Sequence, residues 1–210
     1  MDDLPTLSPA EARILGSLIE KKELTPDVYP MTVNGLVAAA NQKTAREPVM
    51  QLEPAEIRRA LSLLEQKGLV RQMFASRVER YEHMVAQRFA LTSPQIAILG
   101  LLLLRGPQTA HELLARSERL ARFASIEDMH GQLDLLIGRR PPLVRLIERG
   151  PGQREERFGE LLSAEQPAFT SSRTSSGTAP AAESPLELRV KTLEDEVAAL
   201  KARLDAMTSG

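Results

Sequence analysis

Apolar positions in residues 1–162 repeat with two different spacings, and both spacings occur in the same order twice. Runs with apolar residues three and four apart predict helices, and short runs with alternating apolar residues predict strands. In the first copy the predicted helices cover about 9–23, 32–41 and 54–67, and the predicted strands cover 69–74 and 87–91. In the second copy the helices cover 94–105, 108–116 and 126–138, followed by strands over 143–147 and about 155–158.

The two copies also resemble each other in sequence, which indicates a duplication. The run 13–20 (RILGSLIE) matches 97–104 (AILGLLLL), and 60–64 (ALSLL) matches 132–136 (QLDLL). Three helices followed by a two-stranded hairpin are typical of a winged helix. The expected fold is therefore mainly α with small β-hairpin wings (α+β), built as winged-helix domains over 1–90 and 91–162. The spacing between the two copies suits tandem domains better than the short repeats of a solenoid.

The last part of the chain has a different texture. Residues 163–185 are rich in Ser, Thr, Ala and Pro, which predicts a flexible linker. After it, 186–210 shows apolar residues at alternating spacings of four and three, with Val at position a and Leu at position d, which favours a parallel two-stranded coiled coil. We expect a homodimer formed through this helix, although it could instead fold back on its own domains. The predicted dimerisation residues are Leu186, Val190, Leu193, Val197, Leu200 and Leu204.

Composition argues against several classes of protein. The chain has no Cys, and its three His are at unrelated positions, so neither thiolate chemistry nor a His-based metal site is indicated. We find no catalytic motif and expect a non-enzymatic protein without metal or cofactor. The N-terminus is acidic rather than basic, and the apolar run 96–104 is too short to span a bilayer, so we expect a cytoplasmic protein that does not bind membranes.

Four stretches resemble one known family of proteins. The segments 29–50 (YPMTVNGLVAAANQKTAREPVM), 77–83 (RVERYEH), 139–144 (RRPPLV) and 151–158 (PGQREERF) are similar to signature stretches of the YceH family of uncharacterised bacterial proteins. The resemblance covers about residues 7–162 and the tail helix. It implies tandem winged helices and no established activity.

The third helix of the first domain has the character of a DNA-reading helix. Its apolar stripe consists of Ile57, Ala60, Leu61 and Leu64, which leaves polar side chains on the opposite face. Arg and Gln can bond guanine and adenine edges, and a winged helix lays this helix in the major groove of double-stranded DNA. We predict base contacts from Arg58, Arg59, Ser62 and Gln66, and DNA-backbone contacts from Lys43, Arg46, Arg77 and Arg80.

Alternative interpretations stay open for each of these residues. The positive charge of Arg58 and Arg59 is offset by Glu53, Glu56 and Glu65, as on any solvated helix face. The loop 41–48 could be a structural turn. Residues 1–90, 91–162 and 163–210 carry net charges of 0, +1 and −2, so no segment is a basic arm.

The third helix of the second domain exposes acidic residues, Glu127, Asp128 and Asp134, beside Gln132. Such a helix is a poor groove reader, because these carboxylates oppose phosphate, and it suits packing or protein contact instead. The competing hypothesis is an adaptor that binds an unknown protein partner and no DNA. An exposed, isolated positive patch at Arg58 and Arg59 would favour DNA, and their burial against the second domain would favour the adaptor.

Overall fold

A computed structural model of the chain describes residues 4–75, 78–149 and 154–163, and these form a mixed α+β structure with small antiparallel hairpins. They all fall within one compact unit, which spans Met1–Ala168. The predicted coiled-coil residues, nearly all of the predicted linker, and Arg77 lie outside the described residues.

The order of three helices and a hairpin occurs twice, as the apolar pattern predicts. The first set consists of α1 (Pro9–Leu24), α2 (Val33–Ala40), α3 (Pro54–Gln66), β1 (Val70–Ala75) and β2 (Val78–His83), with a short 3-10 turn at Pro26–Val28. A short helix, α4 (Val85–Phe89), follows it. The second set consists of α5 (Ser93–Arg105), α6 (Ala110–Ser117), α7 (Ile126–Ile137), β3 (Val144–Ile147) and β4 (Arg157–Glu160).

Each hairpin is a two-stranded antiparallel sheet. In the first, Val70 pairs with His83 and Ala75 with Val78; in the second, Val144 pairs with Glu160. Among the described residues, none of the helices combines the length and the hydropathy that crossing a membrane requires.

Local capping signals explain where several helices begin and end. The Ser8 hydroxyl accepts from the backbone of Glu11, and the Glu11 carboxylate accepts from the backbone of Ser8, which together form a capping box at the start of α1. In α5 the cap is Thr92, whose backbone donates to the side chain of Gln95 in a second capping box. The backbone reverses direction just after α3 at Gly68, which has a φ of 69°, a left-handed conformation that glycine adopts without steric cost.

The predicted return strand over 87–91 is wrong. The chain forms the helix α4 there, and the strand that pairs with β1 comes earlier, over Val78–His83. Val85 and Phe89, four residues apart, are both buried, and Ala90 ends the helix in a left-handed conformation. The alternation of Phe89 and Leu91 imitates a strand because a five-residue helix contains too few positions to show its own period.

Helices α1 and α5 cross closely through two glycines at equivalent positions of the duplication. A Cβ atom at Gly16 would lie 2.8 Å from Cγ of Leu104, and one at Gly100 would lie 2.6 Å from Cγ2 of Ile19. Glycine at both positions lets the two helix backbones approach each other closely across the core, and this approach leaves no room for a side chain at either position. This crossing joins the first and second sets of elements.

Candidate nucleic-acid interface

Helix α3 presents its predicted polar face to solvent. Its apolar stripe, which consists of Ile57, Ala60, Leu61 and Leu64, is buried in the core. The helix is therefore oriented by its own burial pattern, and the opposite face has to point away from the core. The four predicted base-reading residues all lie on this exposed face: Arg58, Arg59, Ser62 and Gln66.

The positive patch on α3 is exposed but has a carboxylate beside it. The Arg58 side chain is 61% exposed, and its Nη1 lies 3.8 Å from Oε2 of Glu79 on β2. The hydroxyl of Tyr81 donates to the same Glu79 oxygen at 3.2 Å. An ion pair this long and this exposed is worth about 0–1 kcal/mol, so a phosphate group can compete with it.

Arg46 is not available to bind a DNA phosphate, contrary to the prediction. Its side chain is buried, and its guanidinium holds both carboxylate oxygens of Glu20, at 3.0 and 2.6 Å. Its Nε also donates to the carbonyl of Ala39. Burial alone would raise the pKa of Glu20, but the hydrogen bonds and charge of Arg46, aided by Lys21, outweigh it and lower that pKa. Arg46 therefore stabilises the fold.

Two further backbone candidates are placed differently from each other. Arg80 is half-buried, and its Nη1 donates to the carbonyl of Pro30 at 2.7 Å, so this residue anchors the segment between α1 and α2. Lys43 is exposed. Of the predicted phosphate contacts within the described residues, Lys43 is the one whose side chain stands in solvent.

The loop 41–48 is held in place by bonds from distant elements. The Asn41 side chain donates to the carbonyl of Leu52 at 2.9 Å and accepts from the Leu52 backbone at 2.7 Å. The backbone of Glu47 donates to the carbonyl of Leu104, at the end of α5. These bonds support the structural-turn interpretation for most of the loop, with Lys43 and Thr44 as its exposed tip.

Sequence reasoning missed a polar stripe on α1. Arg13, Ser17 and Glu20 recur at helical spacing and are all buried within an otherwise apolar helix. Arg13 donates to the carbonyls of Ala40 and Pro48, and burial, followed by the charge of Arg46, lowers its pKa to about 10. The available signal was the spacing of charged residues in the middle of an apolar segment.

Helix α7 presents a surface of different character. Glu127 and Asp134 are exposed there, as the sequence suggests. Leu135 is 57% exposed beside them, and Leu146 on β3 is 44% exposed. The carboxylates on this helix oppose the approach of phosphate, so it matches a DNA groove poorly.

Comparisons with known proteins identify relatives but no activity. The family model described as "Protein of unknown function, DUF480" matches residues 7–153. A UPF0502 protein of Mesorhizobium japonicum is 69% identical, over 98% of each chain. UPF0502 proteins of Xanthomonas campestris pv. campestris and of Stenotrophomonas maltophilia are 49% and 47% identical, over 96% of this chain and 96% and 94% of their own lengths.

Proposed function

The chain belongs to the family of unknown function DUF480, and for this member we propose a tandem winged-helix protein that binds double-stranded DNA as a regulator. In this proposal α3 reads the major groove and the hairpin β1–β2 lies beside the DNA backbone.

The order of elements supports the winged-helix interpretation. In both sets a third helix is followed by an antiparallel hairpin, with β1–β2 after α3 and β3–β4 after α7. In the first set the hairpin and the helix are close enough for Glu79 of β2 to lie 3.8 Å from Arg58 of α3. A duplex seated on α3 would therefore also meet this hairpin.

The single observation that carries the proposal is the exposed polar face of α3. Arg58, Arg59, Ser62 and Gln66 are exposed together on a helix whose other face is buried. Their side chains carry donors and acceptors that match base edges in the major groove. The net charge of the chain is only −1, so affinity has to come from this local cluster rather than from a basic coat.

Dimerisation through the tail belongs to the same proposal. The heptad pattern from Leu186 to Leu204 lies outside the described residues and supports the proposal as sequence alone. A dimer would present two copies of α3 to two half-sites. Deleting 186–210 is then expected to yield a monomer by light scattering and to weaken DNA binding.

The first experiment selects DNA from fragmented genomic DNA at near-physiological salt and sequences what the protein retains. Enrichment of a few loci is the expected result. A bound fragment then serves in fluorescence anisotropy with the double variant Arg58→Ala/Arg59→Ala, which we expect to bind at least about tenfold more weakly.

The matched control is Arg119→Ala/Arg122→Ala, which removes two exposed arginines from the second set of elements and the same total charge. This control should retain most of the affinity. Equal losses in the two double variants would show binding through general charge alone. A flat profile from folded protein would refute the proposal.

One observation favours a second candidate, the protein adaptor. Leu135 is exposed on α7 next to Asp134, whose carboxylate repels DNA, and Leu146 is exposed on β3. The replacement Leu135→Ser should leave DNA affinity unchanged whether or not the protein also acts as an adaptor. A flat DNA profile for the folded wild-type protein would make this surface the leading functional candidate.

A further inference from the structure

A cleft of about 350 Å³ lies where α4 meets the segment after α7. Its lining combines Leu4, which precedes α1, residues 87–90 in and just after α4, and residues between α7 and β3, so both sets of elements build it. Its volume falls at the lower end of the range for small-molecule sites, about 300–1,000 Å³. Three arginines and three apolar residues characterise it: Arg88, Arg139, Arg140, Leu4, Phe89 and Leu143.

The arginines are held at this cleft in different ways. The guanidinium of Arg139 donates to the carbonyl of Phe89, which fixes it against α4. The guanidinium carbon of Arg88 lies 5.5 Å from the centroid of the Phe89 ring, within the range of a cation–π contact. Arg140 is exposed and makes no hydrogen bond or ion pair to any residue that the structure describes.

The electrostatics of the cleft select an anion. None of the described residues that line it is an Asp or a Glu, and Arg140 is exposed there. Guanidinium groups bind phosphate through paired, charge-assisted hydrogen bonds. A ligand with a dianionic phosphate suits several arginines better than a ligand with a single carboxylate, because each added guanidinium offers further donors and charge.

The apolar wall selects what the phosphate is attached to. Leu4 is half-buried and Ala90 and Pro141 are exposed where they line the same cleft as the arginines, whereas Phe89 and Leu143 lie almost wholly beneath its surface. A DNA backbone presents phosphate and sugar, which pack poorly against an apolar wall. A small phosphate ester with an apolar ring would contact both the arginines and the wall. We propose that this cleft binds a small organic phosphate, with Arg140 and Arg139 at the phosphate and the apolar residues at the organic group.

This inference does not depend on DNA binding, because the cleft is built without any residue of the α3 surface. A ligand here would contact both halves of the duplication at once. Because the cleft exists only in the folded chain, such a ligand would also stabilise the folded protein by mass action.

The test uses phenyl phosphate, inorganic phosphate and phenol as probes in isothermal titration calorimetry with the full chain. Phenyl phosphate should bind saturably and at least about tenfold more tightly than inorganic phosphate, and phenol should show no binding. The variant Arg140→Gln should lose at least about tenfold in affinity for phenyl phosphate. The control Arg122→Gln removes an exposed arginine outside the cleft and should bind like the wild type.

Three outcomes would overturn the proposal. The first is the absence of saturable binding of phenyl phosphate to the folded wild-type protein. The second is an equal loss of affinity in Arg140→Gln and Arg122→Gln, which would show non-specific attraction. The third is that Arg140→Gln weakens the binding of duplex DNA but leaves the affinity for phenyl phosphate unchanged. That result would assign the cleft to the DNA backbone.

Discussion

The replacement Gly100→Ala tests the close crossing of α1 and α5. A Cβ at Gly100 would lie 2.6 Å from Cγ2 of Ile19, and Ile19 is itself buried in the core. Because that methyl is attached to a branched Cβ, it cannot move without shifting the whole side chain. Gly131 in α7 is a matched control, since a Cβ built there meets nothing within 4 Å.

The two substitutions share one energetic contribution and differ in another. Replacing a helical glycine by alanine favours folding by about 1 kcal/mol at either position. At Gly100 this gain is opposed by overpacking, which costs about 1–3 kcal/mol in a well-packed core. We therefore expect Gly131→Ala to stabilise the protein by about 1 kcal/mol, and Gly100→Ala to be about 1–3 kcal/mol less stable than Gly131→Ala.

Urea denaturation followed by far-ultraviolet circular dichroism measures both free energies of unfolding. A third variant, Ile19→Ala, removes the methyl group that the new Cβ would meet. In that background Gly100→Ala should become neutral or stabilising, so the two substitutions should be coupled with a favourable sign. If Gly100→Ala stabilises the wild type as much as Gly131→Ala does, the helices do not cross as closely as the structure shows.

Three further predictions concern charged groups. Glu20→Gln leaves the buried Arg46 without its counter-charge and should lower the free energy of unfolding in urea by about 3–5 kcal/mol; a loss below about 1 kcal/mol would contradict this role. Burial lowers the pKa of His83 to about 4, so between about pH 6.5 and pH 4 the unfolded chain takes up a proton that the folded chain does not. Stability should therefore fall by up to about 3 kcal/mol over that range. The variant His83→Gln should remove most of this pH dependence, and an unchanged pH profile would refute the assignment. Glu79→Gln removes the carboxylate beside Arg58 and should tighten DNA binding about two- to fivefold at low salt in fluorescence anisotropy, whereas unchanged affinity would place the DNA elsewhere.

The helices could be predicted from sequence because their signals are local. The stripe Ile57, Ala60, Leu61 and Leu64 indicates both the extent of α3 and the face that it buries, and the structure confirms both. The short elements were harder to predict. At 87–91 two apolar residues fit a strand as well as a helix, and only the pairing of β1 with β2 showed that the sheet needed no strand there.

The candidate site was predictable only in part, for the same reason. The exposure of Arg58 and Arg59 follows from the orientation of their helix, which the apolar stripe sets. Arg46 and Arg80 look equally suitable in sequence, yet one lies in a buried ion pair and the other anchors a loop. Nothing near Arg46 in the sequence shows this, because Glu20 lies 26 residues away.

The sequence by itself determined the positions of α1–α3 and α5–α7, the buried face of α3 and the acidic character of α7. Each of these depends on residues within a few turns of one another, where helical periodicity acts. Tertiary structure alone decided which arginines stabilise the fold, where the two glycines meet, and which side chains share the arginine cleft. A charged side chain takes its role from its desolvation and its partner, and folding brings that partner from a distant part of the chain, as it brings Arg139 to the carbonyl of Phe89, 50 residues earlier.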